Sequence, residues 1–453
     1  MKLHQAYKPL ATAAVLAVLL SGCGGGSGSG GSQSSSNETL DKNVKASISM
    51  AGWSLDMTPE FKTLVDGFEK EHPNIKINIK QYSADDYDKQ LTADISSGSQ
   101  PDVFPIKSLQ KYYVYSQSKG MADLSDIAKG YEGDKNIDVS QYKMDDGKYY
   151  ALPYRADAWV LFYNKDMFKK AGVSEPDGTW TWDDYTKAAE QLKQKLPEAG
   201  YDANSVYPIY QHTWQSVVQA FAQAQSGKEP KDNFFKGDYS YLKSYYKRAL
   251  KWQDEKLTID WNTASTNKVQ YQPQFGTEKA AMMPMGTWYA AVLVEQQKNG
   301  QANKFEWGLA PVPQNPEVRN KSSKPITFGD PTGLAISSKT KGDQLKAAKE
   351  FVKWCAGEGG SKALANISTT PAYFSKSVTD VFFKVDGMAK DQLSEKTWRV
   401  HDTRPENPVG AATDTIQNVL KDTHSSIMTE TKKVGPALDE AASNIKDQGV
   451  LDE

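Results

Sequence analysis

Carboxylates, histidines and tryptophans are the residues of this chain whose chemistry could set a function, and their spacing sorts them. Asp183 and Asp184 stand together, but Thr181 precedes Asp184 by three residues, and Tyr185, Ala188, Ala189 and Leu192 follow. That pattern is the capped start of an amphipathic helix, which gives the acidic pair a structural job. Asp85-Asp86-Tyr87-Asp88 lacks the glycine and the distal glutamate of an EF-hand calcium loop and reads as a solvated helix start. The five histidines, His4, His72, His212, His401 and His424, are scattered without metal-ligand spacing, so no metal or other cofactor is expected. There is no phosphate loop, no Gly-x-Ser-x-Gly and no His-Glu-x-x-His, the signatures that would point to nucleotide, acyl-transfer or zinc chemistry. What the chain has in quantity is aromatic surface, 11 Trp and 23 Tyr, which suits recognition.

Those side chains must be held by regular elements, and the pattern supplies them. Ile48 and Met50 alternate with polar residues, and Thr58-Pro59-Glu60 opens a helix whose Phe61, Leu64, Val65 and Phe68 share one face. Ile75, Ile77 and Ile79 alternate as a strand, Tyr87, Leu91 and Ile95 mark a helix stopped by Gly98, and Pro101-Asp102-Val103-Phe104 begins another strand. Strand, helix, strand, helix, strand at this spacing predicts an α/β domain with a mostly parallel sheet. Ligands of such sheets bind beyond the carboxyl ends of the strands. Trp53, just past the first strand, and residues 104–109, just past the third, therefore fall at a binding rim, unless Trp53 merely covers its own domain. Residues 151–185 read as strand, short helix, loop and helix. The strand rests on the aromatic and aliphatic run 159–163, with Pro153 marking its entry, and Gly172 ends the short helix.

The motifs in that stretch, Leu152-Pro153, Tyr163-Asn164-Lys165-Asp166, Ala171-Gly172 and Thr181-Trp182-Asp183-Asp184, closely resemble those of the extracellular solute-binding proteins of carbohydrate ABC importers, the family that includes maltose-binding protein. A second match is Gly276-x-x-x-Ala280-Ala281-Met282 leading to Gly286-Thr287-Trp288, similar to the family's strand and its Gly-x-Trp entry into the ligand cleft. Gly329-Asp330-Pro331 stands where many members have Gly-Gly at a crossing between lobes. The resemblance implies an α/β, two-lobe periplasmic-binding-protein-like fold, each lobe a mostly parallel sheet flanked by helices, with a hinge between them. Lobe 1 would comprise 44–155 plus 329–380 and lobe 2 would comprise 156–328 plus 381–453.

The same resemblance implies six ligand contacts. Asp157, at the crossing, matches a hydroxyl-binding carboxylate, and Trp288 would lay its indole on the ligand. Trp53, Asp102 in the Pro-Asp-Val segment, Trp214 in an aromatic loop of the second lobe, and Arg404 in Arg404-Pro405-Glu406-Asn407-Pro408 complete the set. Trp214 and Trp288 could instead be core, and the Arg404 segment a plain turn. An indole face stacks on the apolar side of a pyranose while carboxylates and amides take its hydroxyls, so a sugar, in particular an oligosaccharide, is the expected ligand.

The N-terminus implies a location. Lys2 and Lys8 precede an apolar run, 10–20, that is too short to span a bilayer but fits the core of a signal peptide. Leu20-Ser21-Gly22-Cys23 resembles the bacterial lipobox, which implies a signal peptide over 1–22, acylation of Cys23 and cleavage before it. Residues 23–43 then form a Gly/Ser-rich tether reaching roughly 20 Å. The mature protein is expected on the extracytoplasmic face of the bacterial cell membrane, held by lipid, working as a monomer with the permease subunits of an ABC importer. A net charge of −2 over 453 residues makes no case for nucleic acid. Cys355, the other cysteine, sits in a helical pattern and reads as a small buried hydrophobe. Two alternatives stay open: the same fold carrying a non-sugar solute such as a glycerophosphodiester or polyamine, and an exported glycoside hydrolase, which would need a carboxylate pair that nothing here singles out.

Overall fold

Alternating apolar residues build the first strand, β1 (Ala46–Trp53), which buries Ile48, Met50 and Ala51. In the computed structural model the described residues are 44–55, 59–83, 86–319 and 324–451. The expected signal peptide, Cys23 and the expected tether lie outside them. The helix Glu60–Glu71 turns Phe61, Leu64, Val65 and Phe68 inward as their spacing requires. β2 (Ile75–Tyr82) then pairs parallel to β1 in register Ile48↔Ile77. The helix Tyr87–Ser97 ends at Gly98, whose φ of 73° is the left-handed cap that glycine adopts freely. β3 (Val103–Ile106) joins β1, again parallel.

Between residues 151 and 164 the structure departs from the single strand read from sequence. There are two, β4 (Ala151–Ala156) and β5 (Trp159–Asn164), separated by Asp157-Ala158. Pro153 lies inside β4, which tolerates it because β4 is an edge strand of its sheet. Further along come β6 (Tyr207–Ile209), β7 (Ala280–Gly286), β8 (Trp307–Ala310), β9 (Ile326–Phe328), β10 (Pro331–Ile336) and β11 (Asp402–Arg404). They form a five-stranded sheet, β2-β1-β3-β10-β4, a four-stranded sheet, β6-β7-β5-β8, and the parallel pair β11-β9.

Each larger sheet has its own core. The first gathers Met50, Phe61, Phe104, Leu152, Leu334 and Phe351, with Cys355 fully buried and its thiol pushed up by burial. The second gathers Trp159, Phe162, Tyr185, Phe221, Met283 and Leu420. Asn164 caps the helix Lys165–Ala171, and Thr181 with Asp184 forms a reciprocal capping box at Trp182–Glu198, the arrangement their spacing predicts.

Each of the two larger sheets is mostly parallel, with one strand running against the rest. β10 runs antiparallel to β3 and β4, and β5 runs antiparallel to β7 and β8. The direction follows from the crossings. A strand entering the second lobe runs away from the hinge, whereas the neighbours β7 and β8 run toward it. The carboxyl ends of β1, β3 and β4 on one side and of β6, β7 and β8 on the other are thereby brought to the same level.

The two crossings, Asp157-Ala158 and Gly329-Asp330, touch backbone to backbone. A Cβ on Gly329 would overlap the Asp157 carbonyl and come to 2.9 Å from the Ala158 Cα, so glycine is required there by space. The Gly329 N–H donates to the Arg404 carbonyl at 2.9 Å, which ties β11 to the same point. Gly329→Ala should therefore destabilise the protein by about 1 to 3 kcal/mol, the usual cost of overpacking. Urea unfolding measures it, and an unchanged midpoint would show that the crossings can part without cost.

Candidate functional site

Four of the six expected ligand residues sit on the facing carboxyl edges. On the second lobe, Trp214 follows β6 and is 42% exposed, the largest exposed aromatic among the described residues. Its ring is 6.3 Å from that of Trp159, which starts β5, and Trp159 is 5.7 Å from Trp288, edge to face in both cases. His212 and Tyr271 complete the group at 4.3 and 6.0 Å from Trp214. Gly286 ends β7 and must lack a side chain, because the Trp288 indole folds back over the place a Cβ would occupy. Trp288 is only half-buried. These rings make an aromatic ledge with Trp159 as its floor.

Asp157 lies between the lobes and is only 5% exposed. Its Oδ1 accepts from the Thr287 hydroxyl at 2.9 Å, at the start of the helix that carries Trp288. Its Oδ2 lies 2.8 Å from Arg155 Nε, an ion-pair contact whose angle falls short of a hydrogen bond. Arg155 Nη1 donates to Glu60 Oε2 at 2.6 Å, and the Tyr154 hydroxyl donates to Glu60 Oε1 at 2.6 Å. Burial raises the Asp157 pKa, against the pull of Arg155 and the Thr287 hydrogen bond. Burial also works against the Arg155 charge, but Glu60 and Asp157 outweigh it and its pKa is raised. Burial holds His212 down to about 4. It is neutral at pH 7, with Nδ1 sharing a hydrogen bond with the Tyr210 hydroxyl at 2.9 Å. A cavity of about 530 Å³ opens at the hinge beside Asp157, walled by Gln141 from the first lobe and Asp402 and Thr403 from the second.

Trp53 ends β1 on the first lobe's edge, half-buried against Phe61 and Tyr87 at 4.8 Å each, with Lys107 Nζ 4.5 Å above its ring. It serves as rim and as cover for its own lobe. Asp102 immediately precedes β3, at the end opposite the rim, and its carboxylate is taken by Ser49 N–H and hydroxyl at 2.8 Å each and by the Thr340 hydroxyl at 2.8 Å. The residue locks β1 to the loop that follows β10. Arg404 is also engaged within the protein. Its side chain turns to Asp402 at 3.0 Å and Glu229 at 3.7 Å, both acids of the second lobe. Glu60, Arg155, His212, Tyr271 and Thr287 belong to the site and were not singled out from sequence. Arg155 and Asp157 were the findable pair, since residues two apart in an extended segment share a face. Among the described residues no group of His, Cys, Asp and Glu is arranged to hold a metal ion, and no helix is long and apolar enough to cross a membrane.

Two α/β lobes joined by adjacent crossings, with an aromatic ledge and a buried carboxylate between them, define a two-lobe solute-binding protein. Residues 54–362 match the model of the bacterial extracellular solute-binding protein family. A multiple sugar-binding protein of Streptococcus mutans is 30% identical over 369 residues, 78% of this chain and 79% of that one. The melibiose/raffinose/stachyose-binding protein of Bacillus subtilis is 23% identical over 383 residues, 82% of each chain. A sugar transporter from Rhizobium etli, solved in an open conformation, is 29% identical and superposes with a TM-score of 0.76 over 88% of this chain and 99% of that one. The chain belongs to the bacterial extracellular solute-binding proteins.

A second carboxylate pair sits at the other crossing. Asp330 Oδ2 accepts from Leu109 N–H at the start of the helix Leu109–Gln117 at 3.0 Å, and Oδ1 accepts from Glu406 N–H at 2.8 Å. Burial pushes Asp330 up to about 6; burial and then the Asp330 charge push Glu406 up to about 7. The folded state thus holds protons that the unfolded chain releases near pH 4. The stability contributed by these groups is complete below that pH and is lost as pH rises through 6 and 7. Glu406→Gln removes one titrating group while keeping its backbone N–H. Its melting temperature relative to the parent should improve steadily from pH 5 to pH 8; a constant difference across that range would show that Glu406 is ionised throughout.

Proposed function

We propose that the protein captures a sugar, in particular an oligosaccharide, between its lobes and delivers it to the permease of an ABC importer from a lipid anchor at Cys23. The observation that carries the reading is the ledge of Trp214, Trp288 and Tyr271 beside the buried Asp157 carboxylate. Aromatic faces take the apolar side of a pyranose, and an ionised carboxylate accepts from its hydroxyls more strongly than a neutral group does. The Streptococcus and Bacillus relatives, a multiple sugar-binding protein and a melibiose/raffinose/stachyose-binding protein, support the same ligand class. The family supports binding and delivery rather than turnover. Of the alternatives, a phosphodiester cargo is disfavoured by the excess negative charge of Glu60, Arg155 and Asp157 together.

A thermal-shift screen of the protein without its tether, against mono- and oligosaccharides including raffinose, tests the ligand. A sugar at a hundred times its dissociation constant adds about 2.7 kcal/mol of stability. Trp214→Ala should leave the unliganded melting temperature nearly unchanged, because Trp214 is exposed. It should weaken the bound sugar by about 2 kcal/mol, roughly thirtyfold in Kd. An unaltered Kd would remove Trp214 from the site, and no shift with any sugar would redirect the reading to another solute.

The anchor is tested separately. Mass spectrometry of the membrane fraction should find a mature N-terminus at Cys23 carrying acyl chains. An unmodified Cys23, or cleavage elsewhere, would leave the protein without the proposed attachment.

A further inference from the structure

Asp157 poses a physical problem that the proposed function leaves unsolved. A carboxylate that is 5% exposed is driven toward its neutral form by desolvation, and a neutral carboxyl is a weaker acceptor for a sugar hydroxyl. Every group facing it bears on which form it takes. The Thr287 hydroxyl donates to Oδ1 at 2.9 Å. Thr370 helps the charged form, Glu60 opposes it, and the Tyr271 hydroxyl shares its field. The only cation among these groups is Arg155, 2.8 Å from Oδ2.

We propose that Arg155 is the positioning residue of the site: braced on Glu60, it keeps Asp157 charged and aimed at Thr287, so that the carboxylate is ready for a ligand hydroxyl before any ligand arrives. The proposal rests on the sugar-binding reading for its consequence but not for its mechanism. Arg155 is suited to the task by its fork, which hydrogen-bonds two partners and sets its charge against a third. Nη1 goes to Glu60 at 2.6 Å, Nη2 to the Thr332 hydroxyl at 3.2 Å, and Nε to Asp157. Glu60 is itself 5% exposed and pinned by Tyr154, so the brace is rigid. Glu60 opens a helix of the first lobe and Thr287 precedes a helix of the second. The line Glu60, Arg155, Asp157, Thr287 thus crosses the hinge through side chains alone. Of the roughly four lone-pair positions of the Asp157 carboxylate, this line fills one with a hydrogen bond, from Thr287, which leaves acceptor capacity for a ligand.

The triad of Glu60, Arg155 and Asp157 keeps one negative charge in excess. A ligand that offers hydroxyl donors and no charge complements it, and an anion does not. This places the selection of neutral polyhydroxy ligands at the hinge, and the aromatic ledge then favours those with a ring face.

The test compares Arg155→Lys, which keeps the charge, with Arg155→Met, which keeps length without charge. Aspartate labelled with carbon-13 at Cγ reports each carboxyl by NMR, with Asp157 assigned by the resonance lost in Asp157→Asn. Without any sugar, the Asp157 titration midpoint should be higher by about 1 to 3 pH units in Arg155→Met than in the parent, and close to the parent in Arg155→Lys. Calorimetry with raffinose should then show affinity for Arg155→Met that is poor at pH 6 and recovers toward pH 9 as Asp157 ionises, while the parent stays level. If Arg155→Met fails to fold because Glu60 is left unpaired, adding Glu60→Gln removes that stranded charge and the same titration is read. An Asp157 midpoint equal to the parent's in the methionine variant overturns the proposal. If raffinose does not bind the parent, the sugar reading is revised while the titration still decides the role of Arg155.

Discussion

The contact between the two crossings governs the rest of the molecule. Because Gly329 lets one backbone lie against the Asp157 carbonyl of the other, the two sheets start from a shared point, and the carboxylates of Asp157 and Glu60 beside it are almost fully withdrawn from water. Dryness makes the side chains there energetically consequential, since a polar group removed from water must be paired within the protein. The hinge pairs them by reaching across the lobes. Asp157 takes Thr287 from the second lobe and Arg155, braced on Glu60, from the first. Asp330 takes Leu109 from the first lobe and Glu406 from the returning chain. The joint is therefore held by directed polar contacts whose partners belong to both bodies, and a change in the angle between lobes must stretch or exchange them.

Strand direction explains why recognition gathers at this joint. β6, β7 and β8 run toward the hinge and β5 runs away from it, so His212, Trp214 and Trp288 are delivered by the carboxyl ends of β6 and β7 while Trp159 is delivered by the amino end of β5. A ledge made of three strand ends needs no long loop to shape it. Gly286 completes it by leaving room for the indole of Trp288.

Much of this was legible in the residues. The faces of the helix Glu60–Glu71, the capping box of Thr181 and Asp184 and the Gly286-Thr287-Trp288 turn are local patterns, complete within a dozen residues, and the structure has them. What escaped was non-local. Residues 151–164 were read as one strand rather than two because nothing nearby shows that β4 pairs with β10 while β5 pairs with β7. Tyr271 carries no periodic signal and reaches the site only through folding. Thr287 meets Asp157 across 130 residues, and Leu109 meets Asp330 across 221. Asp102 sat in a persuasive motif, yet β3 is four residues long and the aspartate is on its far end, where Ser49 and Thr340 occupy it. A motif names a segment; which end of that segment faces the ligand is decided by strand direction.

The two hinge aspartates share burial but differ in the charge set beside them. Burial raises both. Asp157 has a guanidinium at 2.8 Å, and an opposite charge at that distance in a medium of low effective dielectric offsets much of the desolvation cost. Asp330 has two backbone N–H donors and a second acid, Glu406, which it pushes upward in turn. Like charges this close cannot both ionise without penalty, so the pair retains protons into the neutral range. One crossing thus sets a cation against its buried carboxylate, while the other sets a second acid beside the start of a helix and the returning chain. The difference arises from Arg155 on one side and Glu406 on the other, two side chains placed by strands that were already committed to their directions by the hinge.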